Sequence, residues 1–503
     1  MNFADAIKNE QKWTLTENGA VALNTTGTAL LDLFSTIGAL RQRTAMDIET
    51  MVEEAYKEDP LNTVKCIFYA RDIRGGLGER DTFRIALRYL ANKHPEAVTE
   101  NIHLISEYGR WDDIYCLVGT PCEDKMWFVV RDQFEKDIQD MNAGKPISLL
   151  VKWLKSVDTS SEESKKLGRL TAEKLGLVND ETGWKRYTPY RFYLKTMRSY
   201  IKVVEKSMCA NNWEKIQYEE VPSRAAMIYR KAFNRHDEER YNEFINQVNK
   251  GEAKINADTL YPYDLIKKYT RAFGWHFYIN DKEDATVEAL WKNLPNYVQP
   301  GTNAIVMADT SGSMVDNMQA QPMYSALGLA IYFAERNTGA YHNMWMNFSD
   351  RPSWQILKGS TLIQKLSSMN MSNWDMNTDL HAAFRLVLET AIKNHVSQDE
   401  MPKSIIVISD MEIDRSGNND WTFYDQMRLE YMKEGYEIPQ VIFWNVNSRN
   451  NVFHADSTRR GVILCSGQST TTFKSLINTI NMTPVEYMMS VLNSKRYEEV
   501  KIA

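Results

Sequence analysis

The chain has 503 residues, 43% hydrophobic and 25% charged, which is ordinary globular chemistry divided at roughly 150 residues per domain into about two to four domains. No apolar run reaches the roughly 18 residues of a membrane span, and the start, MNFADAIKNE, lacks a basic region ahead of an apolar core, so an intracellular, cytoplasmic chain is expected. The net charge of −6 excludes a protein that coats nucleic acid with its whole surface, and five cysteines without a C-x-x-C pair or a Cys/His cluster disfavour a disulfide framework and a structural zinc site.

Residues 1–296 read as helix after helix. LLDLFSTIGALRQR, TFRIALRYLANK, MWFVVRDQFEKDI, YLKTMRSYIKVVEKSM and NEFINQVNK all carry apolar residues at three- and four-residue spacing, and helix pairs without a strict period predict a HEAT-like helical repeat, a ring or an arch. R-G-G-L-G-E-R (74–80) lacks the G-K-[ST] ending of a phosphate loop and reads as a glycine-permitted turn between helices. G-R-W-D-D (109–113) reads as a helix–helix corner with Arg110 paired to a carboxylate. Residues 185–235 hold twelve Lys/Arg against four Glu, interleaved with nine aromatics and preceded by Trp184, and single-stranded nucleic acid is held by that combination of charge and π-faces. Two sets are candidate RNA contacts: Lys195, Arg198, Lys202 and Lys206, whose spacing predicts one shared helix face, and Arg224, Arg230, Lys231 and Arg235. Aromatics as core with lysines as a solvated face is the competing reading of the same segment.

NLPNYVQPGTN (293–303) supplies the boundary, and residues 297–503 then alternate strand and helix. NAIVMA, NMWMNF, SIIVISD and QVIFWNV are short apolar strands, and SALGLAIYFAER, LHAAFRLVLETAIKNH and WTFYDQMRLEYMKEG are helices between them, which predicts an α/β, mostly parallel sheet covered on both faces. T-P-V-E (483–486) opens a last helix with Thr483 as N-cap and Pro484 at its first position. In parallel sheets ligands sit beyond the carboxyl ends of the strands. There the first strand runs into Asp309-Thr-Ser311-Gly-Ser313, three hard oxygen donors in a tight turn, and Thr378 and Asp410 stand in loops that reach the same edge. Oxygen sets suit Mg²⁺ first, or Mn²⁺ or Ca²⁺, rather than zinc. No His stands beside Ser311 or Ser313 as a base, and the segment lacks a nucleophile elbow, so binding rather than catalysis is expected. His381, at a helix start, is expected to pack, and the roles of Asp379 and Glu412 are open.

Strand-D-x-S-x-S, then a Thr loop, then strand-Asp, resembles the metal-ion-dependent adhesion site of the von Willebrand A fold, with Asp309, Ser311, Ser313, Thr378 and Asp410 in the matching positions and Asn377 where the family has Gly. A helical-repeat half followed by such a domain looks like the TROVE-domain family of the Ro autoantigen and its uncharacterised relatives, through RDIRGGLGERDTFR, SEYGRWDDIY, VEKSMCANNWEKIQYEEVPSRAAMIYRKAF and KINADTLYPYDL. The resemblance implies a non-enzymatic ribonucleoprotein component: residues 1–296 grip small non-coding or misfolded RNA by single-stranded ends or structured parts, and residues 297–503 recruit a protein that donates a carboxylate to the bound divalent cation. A protein-assembly scaffold without RNA is the alternative, and a metal-dependent nuclease is disfavoured because one hydroxyl-rich site lacks a second metal and a carboxylate cluster. Each half, expressed alone, is expected to fold and keep its own ligand.

Overall fold

The computed structural model describes residues 12–273, 276–280, 282–316, 322–347, 351–370, 379–415, 422–476 and 478–502. It opens with a feature no sequence pattern announced, an antiparallel hairpin of β1 (Trp13–Leu15) and β2 (Val21–Leu23). Helices fill the region read as helical, although the one read through LLDLFSTIGALRQR ends at Thr36 and the one read through YLKTMRSYIKVVEKSM is broken after Tyr200. Ala45–Glu58 starts at a Thr44 capping box with Asp47, and Pro60–Arg71 starts at Asp59 with proline at its first position, where the missing N–H costs nothing. The glycine-rich segment 74–80 is the turn between Pro60–Arg71 and Asp81–Lys93. The helical half closes with a small ribbon, β3 (Thr270–Phe273) and β4 (His276–Ile279), and the helix Ala285–Lys292.

The second half is one six-stranded sheet made of β5 (Ala304–Ala308), β6 (Met344–Asn347), β7 (Ser353–Ile356), β8 (Ser404–Ser409), β9 (Gln440–Asn445) and β10 (Val462–Ser466), ordered β10-β9-β8-β5-β6-β7. All neighbours are parallel except β7, which pairs antiparallel with β6 at the edge. Numbered within the sheet this is the doubly wound order 3-2-1-4-5-6 read from β7, and the winding reverses between β5 and β8. The predicted strands and helices of this half are present, and Thr483, Pro484 and Glu486 form the expected capping box. Two strands had not been read from the sequence, β7 and β10.

Strand alternation sends the two faces of this sheet to different cores. Met307, Ile405, Val407, Val441 and Phe443 pack with Leu380, Phe384 and Phe423 of the outer helices. Val306, Ala308, Ile406, Ile408, Ile442 and Trp444 belong instead to one continuous core with Leu33, Phe68, Leu87 and Trp291 of the helical half. The chain also crosses the seam at both ends. The hairpin pairs with the sheet half through Leu23 and Phe453, whose N–H groups each donate to the other's carbonyl at 2.8 and 2.9 Å. Arg496 lies on the helical half, donating to both oxygens of buried Asp72 at 2.9 and 3.0 Å. Physically separable halves are therefore not what the packing provides: each would expose a face that the other covers.

Candidate cation site and basic groove

β5 and β8 end side by side at the point where the winding reverses, and both deliver a carboxylate there. Asp309 stays in register through its N–H, which donates to the Ile408 carbonyl at 2.9 Å. Its Oδ1 accepts the Ser311 N–H at 2.9 Å, so the chain turns back at once, and its Oδ2 accepts the Ser409 hydroxyl at 2.6 Å. The hydroxyls of Ser311 and Ser313 lie 3.0 Å apart. Asp410 accepts the Glu412 N–H at 3.2 Å on Oδ1 and an Arg449 N–H at 2.9 Å on Oδ2, and Ser313 also hydrogen-bonds its carboxylate. Met411 between them is left-handed, with φ 69°, a bend that lets Asp410 and Glu412 both turn inward.

Asp309, Asp410 and Glu412 are all buried. Loss of hydration, and then the neighbouring Asp410, push the Asp309 carboxyl up to about 7. Burial also raises Asp410, with Arg449 opposing. Two dry carboxylates in mutual repulsion, with hydroxyls beside them and one guanidinium on the outer side only, fit a hard cation held by oxygen. Asp309, Ser311, Ser313 and Asp410 converge as the spacing implied, while Thr378 lies outside the described residues. Among the described residues no cluster of three His, Cys, Asp or Glu side chains stands ready for a metal, so carboxylates with hydroxyls are the donor chemistry on offer. Asp379 is an N-cap, its Oδ1 accepting the Ala382 N–H at 2.8 Å. Glu412 accepts the Glu17 N–H at 2.7 Å and an Asn450 side-chain N–H at 3.1 Å, tying the site to the hairpin. His381 packs edge-on against Phe423, with ring centroids 5.5 Å apart, as expected of it.

Sequence reasoning missed Ser409, Arg449 and Glu17. Ser409 was adjacent to a named residue, but Arg449 and Glu17 come from segments far apart in the chain, each beside ordinary polar neighbours that give no signal.

In the helical half the two candidate RNA sets divide by what each side chain already holds. The helix Thr188–Tyr200 carries Lys195 and Arg198 but ends before Lys202, which is left-handed at φ 48°, so the expected single helix face is not formed by all four. Arg198 donates to the carbonyls of Val151 at 2.8 Å and Leu154 at 2.7 Å and to the Ser156 hydroxyl at 3.0 Å, a clamp on the neighbouring helix end. Arg230 is likewise engaged with Asp284 at 2.7 Å, and Arg224 faces Asp264 at 3.3 Å. Lys195, Lys202, Lys206, Lys231 and Arg235 are exposed, Lys206 donating to the Ser199 hydroxyl. A groove of about 1120 Å³ opens beside this segment, with Lys152, Lys202, Lys206 and Lys215 among its lining and Glu220 as the one acid among the described lining residues. Phe192 (64% exposed), Lys195 and Ser199 recur at helical spacing on one exposed stripe that leads into it. Trp184, 68% exposed, is stacked by the Arg191 guanidinium at 3.9 Å. Lys152 belongs to the groove although it lay outside the segment singled out by charge.

Two family models match the sequence. One, described as Domain of unknown function (DUF2828), covers residues 16–144 and 129–300, and the other, described as Domain of unknown function (DUF7788), covers residues 303–501. The uncharacterized protein L728 of Acanthamoeba polyphaga mimivirus is 28% identical over 525 residues, spanning 95% of this chain and 87% of its own. Among solved structures the chain is similar to the crystal structure of the Deinococcus radiodurans Ro (RSR) protein, with a TM-score of 0.44 and 14% identity over 88% of this chain and 92% of that one.

Proposed function

Because the chain belongs to the DUF2828 family of unknown function, whose description supplies no activity, we propose its function from its own geometry: an RNA-binding protein of the Ro/TROVE type with a cation-dependent recruiting domain. The observation that carries the reading is the groove beside residues 199–222, where four lysines face one glutamate and an exposed aromatic and basic stripe leads in. Lysines neutralise phosphates, and aromatic faces stack on unpaired bases whatever their sequence. An acidic protein would use the lysines but has little need of exposed Phe192 and Trp184. The helical half thus takes single-stranded RNA.

Replacing Lys152, Lys202, Lys206 and Lys215 with glutamine weakens RNA binding across sequences. Each lost phosphate contact removes about 0.7 from the slope of log K against log salt for a single strand, so four contacts flatten it by roughly 3. Filter binding of an unstructured oligonucleotide at several salt concentrations measures this. An unchanged slope in the folded variant removes RNA from the groove, and equal competition by polyglutamate favours the assembly scaffold instead.

The sheet half is read as a von Willebrand A-like domain whose Asp309, Ser311, Ser313 and Asp410 would hold Mg²⁺, with Thr378 completing the set. The carboxylates at the winding reversal and their shared dry environment support it. The cation would supply a Lewis-acidic position for an oxygen ligand of a partner, while the protein's part is to keep both carboxylates in place through Ser409 and the Ser311 N–H. Mg²⁺ is expected to raise the melting temperature, about 2.7 kcal/mol of stabilisation at a hundredfold excess over Kd, and Zn²⁺ to offer no particular advantage. Asp309→Ala should abolish the Mg²⁺ shift, and a variant that responds as the parent does would show the site to be elsewhere.

A further inference from the structure

A side chain of this same protein stands beside the candidate cation site. Glu17, in the turn between β1 and β2, places Oε2 2.9 Å from Nη1 of Arg449, and its Oε1 accepts the Asn450 side-chain N–H at 2.9 Å. The other amino group of that guanidinium donates to Asp410 at 2.9 Å. Exposure falls along this line from Glu17 (44%) through Arg449 (22%) to Asp410 (1%), so Glu17 sits at the opening and Asp410 at the floor. The turn that carries it is docked on the sheet half: the Thr16 hydroxyl donates to the Ile413 carbonyl, the Glu17 N–H to Glu412, and the Asn18 amide to the Glu412 carbonyl, each at 2.7 Å, and the Arg415 N–H donates to the Asn18 carbonyl at 3.3 Å. Its outer strand leaves Trp13 and Leu15 exposed.

We propose that Arg449 and Asn450 form a carboxylate-recognition subsite beside the cation site, occupied here by Glu17, so that the N-terminal hairpin competes internally with an acidic side chain of a protein partner. This rests on the cation reading given above and names the regulation of that same site. A guanidinium edge with an adjacent amide suits the two oxygens of a carboxylate, and Glu17 itself demonstrates the fit. The charges give the order of events. Without a cation, Arg449 is shared between Glu17 and Asp410. Once a divalent cation neutralises Asp309 and Asp410, the guanidinium is left to the mouth alone, where an incoming carboxylate displaces Glu17. An RNA phosphate is disfavoured at this position because carboxylates of Glu17 and Asp410 already hold the two amino groups of Arg449 and Glu412 stands beside them, accepting the Glu17 N–H.

The test uses the full chain, saturating Mg²⁺ and a fluorescent hexaglutamate peptide read by anisotropy. Glu17→Gln and Glu17→Asp should both bind about tenfold tighter than the parent, because apparent affinity rises with the fraction of molecules whose subsite is free. Glu17→Asp keeps the charge and shortens the reach, so tightening by Glu17→Gln alone would be simple electrostatics and would overturn the proposal. Arg449→Gln should bind at least tenfold more weakly. Should that variant fail to fold, Asn450→Ala takes its place and should also weaken binding; unchanged binding by folded Asn450→Ala overturns the subsite. A Mg²⁺ melting shift recorded on the same samples keeps the two readings apart. Its absence in the parent, with Glu17→Asp still tightening, sinks the cation and spares the subsite, whereas a normal shift without tightening sinks the subsite alone. Tighter capture of a labelled oligonucleotide by Glu17→Asp in place of the peptide also overturns the proposal.

Discussion

Asp113→Ala should cost about 3–5 kcal/mol of folding stability, a large share of the roughly 5–15 kcal/mol that holds a typical folded protein. Asp113 is fully buried, and its two oxygens accept from Arg71 at 2.8 Å, from Arg84 at 2.8 Å and from the Arg110 N–H at 2.9 Å. Arg71 is itself buried, so removing the carboxylate strands a guanidinium in a dry interior. The site tolerates no substitute geometry, because a Cβ on Gly109 would lie 2.6 Å from the Asp113 carboxylate and 2.8 Å from Arg71. Urea unfolding of Asp113→Ala against Arg80→Ala supplies an internal control. Arg80 pairs with Asp81 in the open, and such a pair contributes about 1 kcal/mol or less. Similar losses for the two variants would refute the assignment of Asp113 as the hub.

The second large effect is expected at the seam. Gly38, whose N–H donates to the Ser466 hydroxyl at 3.0 Å, faces Gly467 so closely that an added Cβ would lie 2.7 Å from the Gly467 Cα. Backbone stands on both sides, so Gly38→Ala wedges helix from strand and should cost about 1–3 kcal/mol or more. Because one core spans both halves, the loss should appear as a single lowered calorimetric transition rather than as one half melting early. For the same reason residues 1–296 and 297–503, expressed separately, should each lack a cooperative transition. Two fragments that melt sharply near the parent temperature would show that the shared core is dispensable.

What the sequence made legible was whatever is decided locally. AIVMA (304–308) and IIVI (405–408) are unbroken apolar runs, so they had to be buried strands, and the polar residues that follow each had to stand at a strand end. Thr44, Asp59 and Thr483 act within their own first turns, and the Thr483 start was readable for that reason. Partners far away were not legible. The charge pattern around Arg198 and Arg230 looks the same as that around Lys195, yet carbonyls at Val151 and Leu154 and the carboxylate of Asp284 claim the first two. The apolar period of YLKTMRSYIKVVEKSM runs on past the real end of its helix, because nothing in that period encodes the left-handed turn at Lys202. Hairpin β1–β2 is too short to show a period, and its place over the cation site depends on Glu412, Phe453 and Asn450, all near the other end of the chain.

That last separation sets a clock. The Thr16 hydroxyl waits for a carbonyl 397 residues downstream, and at a synthesis rate of roughly 5–20 residues per second the ribosome needs about 20–80 s to deliver it. Throughout that interval the hairpin has no surface to rest on, and Trp13 and Leu15 are displayed on an unpaired ribbon. The hairpin residues are therefore made long before the carbonyl they bond to, and are among the last to find their place.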